Sequence, residues 1–308
     1  MKSRRPSDRP VEATTSDARS SQPAPVERPA WLRWVDLASH HGVPAGFFLL
    51  ILCVHPFRTY FEFDPDEGNN VIKALLLQHG HPLYSETWSD QAPLFTYALK
   101  WTYDLFGATV NTGRVLVLLC SSITLWGIYQ TVRLTWGHRH ALAAVLLVIL
   151  SPYYTVVSVS VMLGLPSLMW AVLSLLALTV WHKRGGRLWL VLSAVAMALS
   201  ILVKLFTAFL VPIFIVGIVV SVWLRQRGQA KPMRRLVPAA VWSGVFAVVA
   251  ATILLVIVSP SNLAQLIEPH LAAQTTESYV QRAETADINY WLGLRNKGRG
   301  YLDVLVLA

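Results

Sequence analysis

The chain has 308 residues, of which 54% are hydrophobic and 14% are charged, and its formal net charge is +9. Soluble domains carry about 25% charged residues, whereas the charges here are confined to short islands between long uncharged stretches, so the composition excludes a soluble globular domain. The basic residues lie in a tail and in short connectors, and they do not form the single patch that is typical of nucleic-acid binding.

Residues 1–41 differ from the rest of the chain. Ser, Pro, Arg, Asp and Ala dominate this segment, and a segment with so few apolar groups cannot form a packed core. The apolar region begins too late for a cleavable signal peptide, and no small-residue cleavage site follows it. We therefore predict a disordered tail over residues 1–41, followed by a transmembrane domain over residues 42–308.

The predicted fold class is an all-α polytopic membrane protein. A membrane-spanning helix needs roughly 20 mostly apolar residues. The predicted spans are seven, at residues 42–61, 112–131, two within 141–181, two within 188–224 and one at 236–259, and an eighth begins after Tyr301. Gly164 and Pro166 predict the turn that divides the first pair, and Lys204 interrupts the second pair. Cys53 and Cys120 fall inside apolar stretches, so they indicate neither a disulfide nor a metal framework.

The distribution of charge predicts the orientation, because cytoplasmic loops of membrane proteins are rich in Lys and Arg. With the tail in the cytoplasm, 17 of the 26 Lys and Arg lie in the tail and in connectors at residues 133–140, 182–187 and 225–235. Twelve of the 17 acidic residues lie in or beside two outer segments, at about residues 62–111 and 260–300. We predict a multi-pass plasma-membrane protein with a cytoplasmic N-terminus.

The first outer segment is too long for a simple connector and contains two amphipathic patterns. Apolar residues at positions 71, 72, 75 and 76 have the spacing of a helix lying along the membrane surface, which Gly80 ends. After Pro93, apolar residues recur on one side of a second helix, namely Leu94, Tyr97, Ala98, Trp101, Leu105 and Phe106. We predict two interfacial helices joined by an aromatic and acidic stretch.

The first interfacial helix begins at Asp64-Pro65-Asp66-Glu67. These residues fit a capping box, with Asp64 as N-cap, Pro65 at the first helical position and Glu67 reaching back. They also fit a functional site, in which a carboxylate at the water–lipid boundary acts as a base or a ligand. The two interpretations are compatible, because the capping box uses Asp64 and Glu67 and does not need Asp66.

Four ordered motifs follow the first predicted span. They are Asp66-Glu67-Gly68, Gly80-His81-Pro82-Leu83-Tyr84, Asp90-Gln91-Ala92-Pro93-Leu94 and Leu105-Phe106-Gly107, after which Arg114 opens the second span. In this order they resemble the GT-C superfamily of membrane glycosyltransferases, and most closely its protein O-mannosyltransferases and lipid A aminoarabinose transferases. The resemblance covers about residues 43–300, the N-terminal, catalytic half of a typical member, so the C-terminal part is expected to be missing.

The resemblance implies a transferase that moves a sugar from a polyprenyl-phosphate donor, embedded in membrane lipid, to an acceptor hydroxyl on the outer face, with inversion. The acceptor is a lipid, a protein or a glycan. Asp66 and Glu67 are the implied catalytic residues, with Asp66 as general base, and the leaving phosphate needs a cation. The candidates for substrate binding are Asp64, Tyr84, Trp88, Asp90, Arg114 and Lys204.

The chain departs from the family pattern at one motif. The aminoarabinose transferases tend to have Glu-Lys-Pro-Pro-Leu where this chain has Asp90-Gln91-Ala92-Pro93-Leu94, so the acid is kept and the Lys is lost. Some relatives pair that acid with a His of the later outer loop to hold a metal, which would make Asp90 and His270 ligands of a divalent cation. One acid and one distant His are fewer ligands than a protein metal site usually has, and the alternative is that His270 is a solvated loop histidine.

Other positions carry two interpretations each. Lys204 either marks a turn between two spans and extends its charge to the interface, or contacts the donor phosphate. Arg58 and Arg114 are further candidates for the phosphate, and Arg58 also fits an interfacial anchor. Trp88 and Trp101 fit either the aromatic belt of a membrane protein or a platform on which a sugar stacks.

Two other functions compete with a transferase. A lipid or sugar transporter or flippase would place charges or broken helices at mid-membrane in corresponding halves. The sequence shows no internal repeat and no carboxylate within the seven predicted spans, and this favours an enzyme that works at the interface. An inactive fragment is the third hypothesis.

Overall fold

The computed structural model describes residues 30–54, 65–225 and 232–266, with side chains described for residues 40–54, 66–224 and 236–266. Within these ranges the chain forms ten α-helices and no β-strand, which confirms the all-α class. The helices are α1 (Ala30–Val54), α2 (Pro65–Gln78), α3 (Leu94–Phe106), α4 (Val110–Trp136), α5 (His138–Ile149), α6 (Pro152–Ser158), α7 (Gly164–Arg184), α8 (Arg187–Val203), α9 (Leu210–Arg225) and α10 (Pro232–Ile257). Short 3₁₀ turns occupy Leu205–Phe209 and Pro260–Asn262.

Several of these helices are long and apolar enough to cross a membrane. Four described segments meet that condition: Val110–Trp136, Gly164–Arg184, Leu205–Leu224 and Leu236–Ile257. A fifth span arises if α5 and α6 cross together, although a 75° bend separates them. The apolar parts of α1 and α8 are shorter, and the 17 residues of α8 extend only about 25 Å against roughly 30 Å of hydrocarbon. The count of seven spans therefore stays a prediction.

The chain breaks within residues 141–181, as predicted, but it does so twice. Pro152 opens α6 after Ser151, at a position where the missing N–H of proline costs no helical hydrogen bond. α6 ends at Ser158, and residues 159–163 lead into α7. Gly164 and Pro166 were expected in the turn between the two spans; they lie instead in the first turn of α7.

The two predicted helices of the first outer segment are α2 and α3, which pack against each other. Each is followed by a glycine with positive φ, Gly80 at +91° and Gly107 at +91°, a conformation that glycine adopts at no steric cost. The Gly107 N–H donates to the Tyr103 carbonyl at 2.9 Å and closes the last turn of α3. The glycines of two of the sequence motifs therefore end these helices.

α3 is apolar on two faces. Phe95, Leu99 and Tyr103 are buried in the main core, whereas Trp101, Leu105 and Phe106, which belong to the predicted apolar side, are exposed. The periodicity therefore identified the exposed face of α3, and contact of that face with lipid stays a prediction. The opposite face, which holds α3 against the protein, was not identified.

α4 is the central helix and packs against α1, α3, α5 and α7, while α8 packs against both α7 and α10. Hydrogen bonds to serine side chains join α7, α8 and α10. The Ser174 hydroxyl donates to the Ser193 carbonyl at 2.7 Å, the Ser200 hydroxyl donates to the Ser167 carbonyl at 2.9 Å, and the Trp242 indole N–H donates to the Ser193 hydroxyl at 3.0 Å. Small polar residues of this kind allow close contact between membrane helices and join them by hydrogen bonds.

Candidate functional site

The start of α2 carries two adjacent acidic side chains with opposite exposure. Asp66 is exposed, whereas Glu67 is 2% exposed. The Arg114 guanidinium donates to both carboxylate oxygens of Glu67, from Nε to Oε1 at 2.8 Å and from Nη2 to Oε2 at 2.7 Å. This two-pronged geometry is the strong form of an arginine–carboxylate pair. Arg114 itself is 1% exposed, so the pair is buried inside the protein.

A third element joins the buried pair. The Val161 N–H, in the connector between α6 and α7, donates to Glu67 Oε1 at 3.1 Å. The Val161 carbonyl accepts a hydrogen bond at 2.9 Å from the side-chain amide of Asn70, one turn farther along α2. Glu67 and Asn70 therefore hold residue 161 by both its N–H and its carbonyl, and they fix α2 to the α6–α7 connector and to α4.

Tyr103 of α3 lies near this pair. Burial and the nearby Glu67 charge raise the pKa of Tyr103 to about 12, so its phenol stays protonated. A Cβ at Gly113 would lie 3.0 Å from the Tyr103 hydroxyl oxygen, which places that hydroxyl directly over the residue before Arg114. Within the described part of the chain the Tyr103 hydroxyl has no hydrogen-bond partner. The Tyr103 hydroxyl is therefore buried near the Glu67–Arg114 pair.

A second polar cluster lies between α2 and the connector that leads to α3. Lys73 Nζ lies 3.1 Å from Asp90 Oδ1, and the Gln91 side chain donates to Asp90 Oδ2 at 3.1 Å. The Lys73 ammonium also lies 5.5 Å from the centre of the exposed Trp88 ring. Partial burial raises the pKa of Asp90, but the hydrogen bonds and the charge of Lys73 outweigh it and hold the pKa below its ordinary value. Asp90 is therefore an ionised partner of Lys73.

Tyr84 connects the first outer segment to the segment after α10. Its φ of +71° is the left-handed conformation, unusual for a residue with a side chain. Its carbonyl accepts a hydrogen bond at 2.7 Å from Gln265, and its hydroxyl donates to the Gln91 carbonyl at 2.7 Å. Burial raises the pKa of Tyr84 above its ordinary value. The two predicted outer segments thus meet at one end of the helical bundle, as far as the later one is described.

Lys204 lies near this end of the bundle, next to Leu205. α8 ends at Val203, Lys204 is extended, and a 3₁₀ turn follows it. Val203 is buried with residues of α2 and α3, and Leu205 packs against the cluster that contains Tyr84. The chain breaks at Lys204 as predicted, between α8 and the 3₁₀ turn that precedes α9, and this break places Lys204 close to the first outer segment.

The structure brings together some of the predicted site residues. Asp66, Glu67 and Arg114 lie around the start of α2, whereas Tyr84, Trp88 and Asp90 lie around the connector that precedes α3. Asp64, Arg58 and His270 lie outside the described residues.

A divalent cation at Asp90 is not supported by the geometry around that residue. Lys73 and Gln91 occupy one carboxylate oxygen each, and an ammonium next to the carboxylate opposes the binding of a second cation. In the described ranges no three His, Cys, Asp or Glu side chains are grouped so that they could hold a metal. We therefore derive no step through a metal.

Two residues of these polar clusters, Lys73 and Val161, were not predicted from the sequence. Lys73 belongs to none of the motifs, yet it is the sole basic residue of α2 and lies seven residues after Asp66, a spacing of two helical turns that could have indicated a shared face. Val161 acts through its backbone, so its side chain offered no signal. The pairing of Glu67 with Arg114 joins positions 47 residues apart, a separation that local patterns do not reveal.

Comparisons with known proteins agree with this architecture. The sequence model of the dolichyl-phosphate-mannose-protein mannosyltransferase family matches residues 90–263. No curated protein matches the chain.

Two solved structures share the fold. The crystal structure of ArnT from Cupriavidus metallidurans in the apo state aligns with a TM-score of 0.55 at 18% identity, over 86% of this chain and 48% of ArnT. The crystal structure of ArnT from Cupriavidus metallidurans bound to undecaprenyl phosphate aligns with a TM-score of 0.54 at 21% identity, over 74% of this chain and 42% of ArnT. This chain thus spans about half the length of the structures that it matches.

Proposed function

The chain belongs to the dolichyl-phosphate-mannose-protein mannosyltransferase family, and from this membership we propose that it acts as a membrane glycosyltransferase with a polyprenyl-phosphate sugar as donor. ArnT, whose fold this chain shares, has been crystallised with undecaprenyl phosphate, and that complex supports a donor of this lipid class. The acceptor supplies a hydroxyl group and belongs to a lipid, a protein or a glycan.

The observation that carries the proposal is the contrast between Asp66 and Glu67. The buried Glu67 is held by Arg114 and by the Val161 N–H, which fixes the first turn of α2 in position and orientation. The exposed Asp66 immediately precedes Glu67 in this turn, so its position is fixed by its neighbour. A carboxylate fixed at the surface of an interfacial segment has the position that a general base requires.

In the proposed reaction, Asp66 accepts the proton of the acceptor hydroxyl as its oxygen attacks the anomeric carbon of the donor sugar. The bond from that carbon to the phosphate oxygen breaks on the opposite face, so the configuration inverts, and the polyprenyl phosphate leaves. Glu67 and Arg114 act by positioning Asp66. Asp64 precedes α2 in the sequence and is proposed to contact the substrate.

The substrate lies between the two clusters in this proposal. Lys204, at the break after α8, approaches the donor phosphate from the membrane side. Tyr84 and Asp90 shape the opposite wall, and the exposed Trp88 ring offers a surface on which a sugar stacks. The site lies on the outer face of the plasma membrane, with the N-terminus in the cytoplasm, because that orientation leaves most basic connectors inside.

The test is the substitution Asp66→Asn, assayed for sugar transfer from polyprenyl-phosphate donors in a membrane preparation. We expect a loss of at least about a hundredfold in rate, since general base catalysis contributes 10²–10⁴-fold, with unchanged thermal unfolding. Asp104→Asn is the matched control, because Asp104 is an exposed acid of the same outer segment, paired with Lys100. Wild-type rates in Asp66→Asn, in protein that folds normally, would exclude Asp66 as the base.

A further inference from the structure

Lys73 is a charged side chain in an unusual setting for an interfacial helix. Its side chain is 13% exposed, whereas the side chain of its partner Asp90 is 29% exposed. The other lysine of this outer segment, Lys100, is 26% exposed and pairs with Asp104 one turn along the same helix, as lysines on helix surfaces commonly do. Lys73 instead pairs with an acid 17 residues away, in the connector that leads to α3.

The position of Lys73 accounts for the departure from the family pattern at residue 91. Gln91 stands where related transferases tend to carry a Lys, and its neutral side chain binds Asp90 Oδ2. The Lys73 ammonium reaches Oδ1 of the same carboxylate from α2. The cluster therefore keeps a cation beside its acid, and this cation comes from a helix that lies outside the segment matched by the family model.

The ammonium has the capacity to bind a further group. It carries three N–H donors, of which one binds Asp90, and the Trp88 ring approaches it at 5.5 Å. Asp66 and Lys73 are seven residues apart on α2, so they lie about 10 Å apart along nearly the same face. A sugar between them would place its acceptor side near Asp66 and its phosphate near Lys73.

We propose that Lys73 binds the phosphate of the donor lipid, with Asp90 holding the ammonium in place until the phosphate arrives. The inference rests on the proposed transferase function for its chemistry. As the bond from the anomeric carbon to the phosphate oxygen breaks, its electron pair stays on that oxygen and the phosphate gains one negative charge. The acceptor proton goes to Asp66. A fixed cation stabilises this added charge more than it stabilises the bound donor.

The test is a binding measurement that does not depend on turnover. The full chain, in nanodiscs of phosphatidylcholine, is titrated with undecaprenyl phosphate and with undecaprenol, its neutral counterpart. We expect Lys73→Gln to weaken binding of the phosphate form about tenfold or more, as the loss of a hydrogen bond between charged groups implies. Binding of undecaprenol stays unchanged. Lys100→Gln, the matched control, changes neither.

Asp90→Asn separates this role from a purely structural ion pair. It breaks the same pair and leaves the Lys73 ammonium in place, so we expect it to keep the preference for undecaprenyl phosphate over undecaprenol that Lys73→Gln loses. If the pair serves folding alone, Lys73→Gln and Asp90→Asn lower the thermal stability alike and neither changes the preference for the phosphate form, which overturns the proposal. Weaker phosphate binding by Lys73→Gln in a chain that transfers no sugar would support the phosphate site and argue against the transferase function.

Discussion

Glu67 and Arg114 form an ion pair inside the protein, with two hydrogen bonds of 2.8 and 2.7 Å between guanidinium and carboxylate. The two residues belong to different helices, since Glu67 lies in the first turn of α2 and Arg114 lies in the second turn of α4, a candidate membrane span. Their pairing therefore attaches the loop that carries Asp66 to the bundle that lies in lipid.

Glu67→Gln is expected to destabilise the protein strongly. Removing one partner of a buried ion pair leaves the other charge uncompensated, which typically costs about 3–5 kcal/mol. The measurement is thermal unfolding of the purified protein in detergent. The double substitution Glu67→Gln with Arg114→Met removes both charges and should recover part of the loss, because a buried pair replaced by neutral groups is often tolerated. Equal unfolding temperatures for Glu67→Gln and the wild type would contradict the burial of this pair.

Gly127→Ala tests the close contact between α4 and α7. A Cβ at this position would lie 2.6 Å from Cγ1 of Val172, which is too close for two carbon atoms, and a branched side chain in a helix cannot easily turn away. We expect a loss of about 1–3 kcal/mol, as for other overpacked cores, and recovery when Val172→Ala is added.

Gly217→Ala is the matched control for Gly127→Ala. Gly217 lies inside α9, and a Cβ there meets nothing within 4 Å. Alanine favours a helix over glycine by about 1 kcal/mol, so this change should be neutral or stabilising. A similar destabilisation by both substitutions would point to a general requirement for glycine in these helices and against a specific contact.

Local signals predicted several of the helices, but the bounds of α1 were wrong, since the first span was predicted at residues 42–61 and α1 is Ala30–Val54. Apolar runs predicted α4, α7 and α10, and amphipathic spacing predicted α2 and α3. The exact span count did not follow from them, since α8 is shorter than a typical span and α5 and α6 are separated by a bend. Helix length and direction depend on tertiary packing, which apolar runs do not encode.

The site was predicted in part. The acids of the motifs were identified, but no local pattern predicted that Glu67 is buried while the adjacent Asp66 is exposed. Their difference depends on Arg114 and Val161, which approach Glu67 from distant segments. Lys73 was missed for a related reason, since its partner Asp90 lies 17 residues away in the connector that precedes α3.

Chelation of divalent cations is expected to leave the transfer rate unchanged. The predicted metal ligand Asp90 binds Lys73 and Gln91 through its two oxygens, which leaves it poorly placed for a cation. The measurement compares initial rates in membranes treated with EDTA and in untreated membranes, with magnesium or manganese added back to the treated sample. Loss of activity on chelation and its return with one of these metals would restore the hypothesis that Asp90 and His270 bind a divalent cation.

Lys204→Gln is expected to raise KM for the donor about tenfold, because a hydrogen bond between charged groups is lost from the phosphate. Lys204→Arg should retain most of the affinity, since the charge remains at the break after α8. Lys183→Gln is the control, because Lys183 is an exposed lysine in the last turn of α7, at the opposite end of α8. If Lys204 serves to anchor the chain at the interface, Lys204→Gln lowers the unfolding temperature and leaves KM at the wild-type value. A raised KM with unchanged unfolding assigns Lys204 to the donor.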